Sequence, residues 1–326
     1  MVAALENVEK RFGNMESLVD PAVHSVATLP DGRITRSALE KLFSHQVSAV
    51  RVPNFYPVSA SRKLAETFLK SKDAWGKNWK VSSSRGMESS DVDSIGTPYN
   101  VALGGGAEAV KKYFDDAELL RQQLRENGGQ AMVDEEEAAI PSVYPTLTPI
   151  DLLRLQLDET WPDGATVGKD KQTGRALLAG AGRIMRGEKD RVRDGAEVPK
   201  FMDGFCHVDD LSVMGPTGGL FSANVYLRTP QYGGGELKIW PLTIKSRLDF
   251  LKNSPTLSAL TSQDVEGQIR LRQVLPRPLT IEPEEGELVL LCAQRPHAAV
   301  GFRSGVRVSM QTFITFDQNK PLVLDN

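Results

Sequence analysis

The chain has 326 residues, a formal net charge of −3 at neutral pH, a pI near 5.9 and 40% hydrophobic residues. That balance supports a packed core and argues against a nucleic-acid or anionic-membrane partner, since both select basic surfaces. No run approaches transmembrane length, the start Met1 to Asn7 has no signal-peptide character, and two cysteines, Cys206 and Cys292, exclude a disulfide framework and fit a reducing, cytoplasmic setting, with organelle targeting left open.

In chain order, residues 1–175 read as mainly helical. Arg36 to Phe43 and Ala60 to Ser71 carry apolar residues at helical spacing, and Val47 to Phe55 between them alternates like a strand. Residues 73–106 are polar and Gly/Ser-rich and read as a long loop, of the kind that can form a lid. Gly104-Gly105-Gly106 at its end, before a helical stretch, is a candidate anion loop but reads better as a hinge. Ala107 to Asn127 returns to helix, with Val110, Tyr113, Phe114, Leu119 and Leu120 as its apolar stripe; Asp134 to Glu137 is an acidic turn. Pro149 to Trp161 is a further helix, with proline well placed at its start.

From Ala176 the pattern turns to strands. Leu177 to Arg186 leads, the charged stretch Gly187 to Lys200 is a solvent loop, and strands are expected at 205–209, 220–228, 235–240, 269–274, 286–293 and 298–316. An insert at 243–267 looks helical around Ile244 to Leu251. Short strands with Gly/Pro turns argue for a β-sandwich or jelly roll. There is no internal repeat, so 1–326 is read as one α+β domain, with 1–175 flanking a β-core at 176–326.

The chemistry concentrates in His207-Val208-Asp209. On a strand, residues i and i+2 share a face, so an imidazole and a carboxylate project together, with Cys206 and Val208 behind them. A lone His-x-Asp is weak, and a strand histidine is more often a hydrogen-bonded core residue. His297 adds a second imidazole and completes a 2-His-1-carboxylate set, which leaves positions open on non-heme Fe(II). His24 and His45 lack any such pattern. Gly233-Gly234-Gly235 would suit a phosphate loop, but no Lys-Ser/Thr follows and Glu236 would repel phosphate.

The conjunction of His207, Asp209, His297, Arg307 and Ser309 with Tyr226-Leu227-Arg228-Thr229-Pro230 before the glycines resembles the Fe(II)/2-oxoglutarate-dependent dioxygenases. The resemblance covers roughly the C-terminal 150 residues. Within that family it is similar to the small-molecule branch of N-substituted amino acid hydroxylases, alkaloid halogenases and algal kainoid synthases. It implies a double-stranded β-helix (jelly-roll, cupin-like) wrapped by N-terminal helices. It implies Fe(II) on the triad, 2-oxoglutarate as co-substrate and dioxygen as oxidant. Arg307 would fork onto the far carboxylate of 2-oxoglutarate, with Ser309 adding a hydrogen bond. On the strand Ser222 to Leu227, Asn224 and Tyr226 share a face and either line the co-substrate pocket or pack in the core.

The implied reaction oxidises an unactivated C–H bond of a small molecule while 2-oxoglutarate is decarboxylated to succinate. Asp209 occupies the place that a halide takes in the halogenases, so hydroxylation or oxidative cyclisation is favoured. Kainoid-like ring closure of an N-prenylated glutamate would need further arginines, for which Arg183, Arg186 and Arg85 are candidates and Arg303 is placed at an exposed hairpin. A protein side-chain hydroxylase and a non-catalytic barrel that binds a metal or a ligand are the alternatives. Oligomeric state is not legible.

Overall fold

A computed structural model describes residues 20, 24–83, 86–129, 147–190, 204–210, 212–231, 233–244, 246, 249 and 265–326. In chain order its elements are β1 (Val26–Thr28), α1 (Arg36–Phe43), β2 (Ala49–Val52), α2 (Val58–Trp75), β3 (Gly76–Ser83), β4 (Gly86–Ile95), α3 (Tyr99–Gly104), α4 (Gly106–Gly129), α5 (Pro149–Thr160), β5 (Ala165–Val167), β6 (Ala181–Arg186), β7 (Gly218–Arg228), β8 (Leu237–Ile239), α6 (Val265–Val274), β9 (Leu279–Ile281), β10 (Leu288–Cys292), β11 (His297–Ala299), β12 (Val306–Asp317) and β13 (Leu322–Asp325).

Local chemistry sets the best-defined helices. Thr35 caps α1 by accepting from the Ala38 amide, and Ala38, Leu39, Leu42 and Phe43 bury one face. Thr148 and Asp151 form a reciprocal capping box at α5, with Pro149 in its first turn.

The strands form a ten-stranded sheet whose main path runs β1-β2-β10-β7-β12-β6-β4-β3, with β13 and β5 joined at β12, and a three-stranded sheet β11-β8-β9. Pairing is antiparallel except for β1 with β2 and β5 with β13. Alternation along β7 divides the molecule. Phe221, Ala223, Val225 and Leu227 face a core shared with α1, α2, α4 and α5. Tyr226 points the other way, into a smaller cluster with Val289 and Leu291 of β10, Leu237 and Ile239 of β8 and Ile281 of β9. The large sheet is thus held between helices on one face and the small sheet on the other, which makes the protein a mixed α+β structure.

Three expected elements outside the His207 segment differ. Residues 73–106 are no loop: α2 runs to Trp75, β3 and β4 form a hairpin, and α3 and α4 follow, with Gly106 at φ 81° opening α4. The strand signal was hidden because Asp93 and Ser94 are buried at 3% and 2% exposure, so polar residues occupy inward positions where alternation rules expect apolar ones. The stretch 269–274 is helix, part of α6, because Gln268 and Leu271 share a buried face while Ile269 is exposed. The long strand expected at 298–316 breaks into β11 and β12 at a turn through Gly305, whose φ is 94°. Most of the 243–267 insert, including most of the helix expected at Ile244 to Leu251, lies outside the described residues, as do Arg85, residues 191–200 of the charged stretch and the acidic turn at 134–137.

His45 ends the α1 turn at φ 59° and stacks on Phe221 with ring centroids 6.0 Å apart. Burial, and then the positive charge of Arg295, bring its pKa from 6.5 down to about 4. Between those values the unfolded chain takes up a proton that the folded chain refuses. Stability therefore falls as pH drops from 6.5 towards 4. After allowance for the partial exposure of His45, the loss attributable to this group is about 2 kcal/mol. His45→Asn, which tolerates positive φ, is expected to flatten that slope, as read from thermal midpoints across the range; an unchanged slope would remove His45 from the account.

Candidate metal centre

His207 and Asp209 are presented by an extended segment joined to the small sheet through a single bridge, not by a regular strand. The His207 amide donates to the His297 carbonyl at 3.0 Å, and the His297 amide returns a bond to His207 at 2.9 Å. Such a reciprocal pair sets two side chains on the same face of an antiparallel ladder, and the imidazole centroids lie 4.4 Å apart. The Asp209 amide donates to Ala293 at 3.0 Å, continuing the pairing past the end of β11.

The carboxylate of Asp209 stands between the rings. Its Oδ1 is 3.7 Å from His207 Nε2 and its Oδ2 is 3.4 Å from His297 Nε2. One donor atom from each residue lies within 4.8 Å of the others. Both Nδ1 atoms face backbone carbonyls, His207 towards Phe205 at 2.9 Å and His297 towards Arg295 at 2.8 Å. Nδ1–H donation there orients each ring and leaves the Nε2 lone pair for a cation, as histidine ligands require. Two neutral imidazoles and one carboxylate, so oriented, fit a single divalent transition-metal ion.

Electrostatics favour the anion at Asp209 and the neutral imidazole at His207, and favour a proton at His297. Burial opposes ionisation of Asp209, but the hydrogen bond and charge of His297, then the charges of His207 and Arg183, outweigh it and hold the carboxyl below its ordinary range. Burial and the neighbouring His297 push the His207 imidazole down. At His297 burial acts the same way but is overcome by Asp209, so that imidazole is held above its ordinary value. Side-chain exposure is 31% for His207 and 21% for Asp209 against 10% for His297, so the triad is approached from the His207 and Asp209 side.

The strands facing the triad carry the other candidates. In the β12–β6 register Arg307 pairs with Met185 and Ser309 with Arg183, which puts Arg183, Ser309 and Arg307 on one face. Ser309 also pairs with Tyr226 across β7, next to a register shift at Val308. Arg307 is buried; it donates to the Gly235 carbonyl at 3.0 Å, and its guanidinium lies 5.9 Å from the Tyr226 ring centroid. The Arg183 guanidinium donates to Gln311 Oε1 at 2.9 Å and to Ser94 Oγ. Burial lowers its pKa to about 10, against the opposing pull of Asp209. Asn224 donates to Ser222 Oγ at 3.1 Å, and Gln311 donates to the same oxygen at 3.1 Å. A polar network therefore crosses β7, β12, β6 and β4 on the triad side.

Of the two described arginines expected near the substrate, Arg183 is brought to the triad and Arg186 is not. Arg186 pairs with Val306 and alternates to the face of Ile184, and Arg85 lies outside the described residues. Arg303 is exposed in the turn before β12, as expected. Sequence reasoning missed Ser94, Gln311 and Gln268. Ser94 was hidden in the supposed loop, Gln311 follows Ser309 at the same i, i+2 spacing that singled out Ser309, and Gln268 fell between the insert read at 243–267 and the strand expected at 269–274.

No protein-family model and no curated protein matches this chain. Among solved structures, it is similar to an N-substituted L-amino acid dioxygenase from Burkholderia ambifaria AMMD, at 12% identity over 89% of this chain and 91% of that one, with a TM-score of 0.48. It is similar to the non-heme alpha-ketoglutarate-dependent epimerase SnoN from nogalamycin biosynthesis, at 13% identity over 86% and 84% of the two chains and a TM-score of 0.39. A Pseudomonas putida prolyl-4-hydroxylase is similar at 15% identity over 88% and 100%, with a TM-score of 0.31. Likenesses this distant leave the chemistry to rest on the residues of the site itself.

Proposed function

We propose that this chain is an Fe(II)- and 2-oxoglutarate-dependent oxygenase acting on a small molecule. The observation that carries the reading is the convergence of His207 Nε2, Asp209 and His297 Nε2 within 4.8 Å, with both Nδ1 atoms tied to backbone. The two sheets are read as the faces of a double-stranded β-helix within a single domain spanning 1–326.

Each residue then has a task. His207, Asp209 and His297 hold Fe(II). When bound, the ion supplies the dioxygen activation that couples decarboxylation of 2-oxoglutarate to oxidation of a C–H bond. Arg307, buried and planar, binds the far carboxylate of 2-oxoglutarate through its fork, and Ser309 on the same face adds a hydroxyl donor. Tyr226 supports Arg307 by packing under its guanidinium, and Asn224 extends the polar wall. Asp209 keeps its coordination position from a halide, which favours hydroxylation or oxidative cyclisation. Arg183 stands on the substrate side, where a fixed cation suits a carboxylate-bearing small molecule such as an N-substituted amino acid. Kainoid-type ring closure of an N-prenylated glutamate is the finer form of this reading.

The test is purified protein with Fe(II), ascorbate and 2-oxoglutarate, screened for succinate against a panel of N-substituted amino acids. Succinate that depends on metal, 2-oxoglutarate and one class of panel member is the expected result. Failure to bind a divalent metal would remove the proposal altogether.

A further inference from the structure

The segment Gly204–Asp209 has two backbone edges, and among the described residues only one is paired with a sheet strand. His207 and Asp209 direct their amides towards His297 and Ala293. Backbone groups alternate sides along an extended chain, so Gly204 and Cys206 turn theirs the opposite way, where a further strand would normally pair. Helix α6 stands there instead. The carboxamide of Gln268, fully buried at 0% exposure, accepts from the Cys206 amide at 2.8 Å through Oε1 and donates to the Cys206 carbonyl at 2.8 Å through Nε2. One side chain thus reproduces both bonds of a missing strand residue. One turn further on, Arg272 donates to the Gly204 carbonyl, and residues i and i+4 share a helix face. Beneath this contact Leu271 packs with Cys206, Val208, Trp240, Leu242 and Ala298.

The consequence reaches the metal through one residue. His207 follows Cys206 directly, and its ring is oriented by the carbonyl of Phe205 at 2.9 Å. A segment with one paired edge can slide or twist, and either motion would part His207 Nε2 from Asp209 and His297. We propose that Gln268 is a positioning residue of the metal centre, and that α6 sets metal affinity by clamping the free edge of the segment that presents His207. This rests on the metal-binding reading of the triad, but it assigns to α6, which begins inside the 243–267 insert, a role in the centre itself.

The test measures metal affinity, not turnover. Mn(II) is titrated by calorimetry into the wild-type protein, Gln268→Met, which keeps length but loses both bonds, and Gln268→Glu, which keeps the acceptor and loses the donor. Thermal midpoints are recorded without metal. Outer partners of metal ligands are generally worth about 10- to 100-fold in affinity. Gln268→Met is expected to fall in that range and Gln268→Glu between it and wild type, each with a folded metal-free state. Folded variants that bind Mn(II) like the wild type would overturn the proposal. Joint loss of fold and binding in both variants would also overturn it, since Gln268 would then be a core residue without a specific role at the centre. If the wild type binds no Mn(II), the triad reading fails first, and that outcome is distinct from either.

Discussion

Asp209→Ala is expected to abolish metal-dependent succinate formation and to weaken Mn(II) binding by more than about 100-fold, beyond what loss of an outer partner costs. The carboxylate is the only anionic member of the triad, with one oxygen towards each imidazole at 3.7 and 3.4 Å. Its removal leaves two neutral donors on adjacent backbone and nothing to offset the charge of a divalent ion. It also removes the group that holds the His297 imidazole above its ordinary value, so a proton would compete less with metal at His297 in the variant. That gain is small beside the loss of a ligand, and the net direction is weaker binding. Asp209→Asn separates charge from shape, because it keeps the volume and an oxygen donor while losing the anion; its binding should lie between alanine and wild type. Calorimetric titration with Mn(II) and succinate quantification supply both readouts. An alanine variant with undiminished metal affinity would show that the cluster is only a buried hydrogen-bond group.

Arg307→Met is expected to raise the 2-oxoglutarate requirement and leave Mn(II) binding in the absence of 2-oxoglutarate close to wild type. Truncating one partner of a buried, charge-assisted hydrogen bond costs about 2–5 kcal/mol, which converts to roughly 30-fold to several-thousand-fold in apparent affinity. The guanidinium is already held by the Gly235 carbonyl and the Tyr226 ring, so little ordering would be required of it for an anion to bind. Arg307→Lys retains charge without the fork and should recover only part of the loss. A 2-oxoglutarate dependence unchanged in the methionine variant would move the co-substrate away from β12. Loss of metal binding together with 2-oxoglutarate binding would mean that Arg307 supports the fold and not the ligand.

Much of the candidate site was legible because its signal is short-range. His207 and Asp209 sit two residues apart, Arg307 and Ser309 likewise, and that spacing survives whether the backbone is a regular strand or, at 205–209, an extended segment with one bridge. Helix boundaries were legible where a cap wrote them, as at Thr35 and Thr148. Legibility failed where burial and polarity part company. Asp93 and Ser94 are buried polar residues on β4, and Gln268 is a fully buried amide on α6; each defeats a pattern that equates inward with apolar.

The sequence by itself determined the candidate ligand types, their spacing, the order of triad and arginine, and the best-capped helices, because these depend on neighbours a few residues away. Only the tertiary structure decided that Arg183 and not Arg186 faces the triad, since this follows from the register of β6 against β12, strands 120 or so positions apart in the chain. It alone decided that Gln268 completes the edge of the His207 segment, 62 residues before it. Backbone donors and acceptors must be satisfied wherever they are buried, and which distant side chain meets that demand is fixed by packing, which no local pattern encodes.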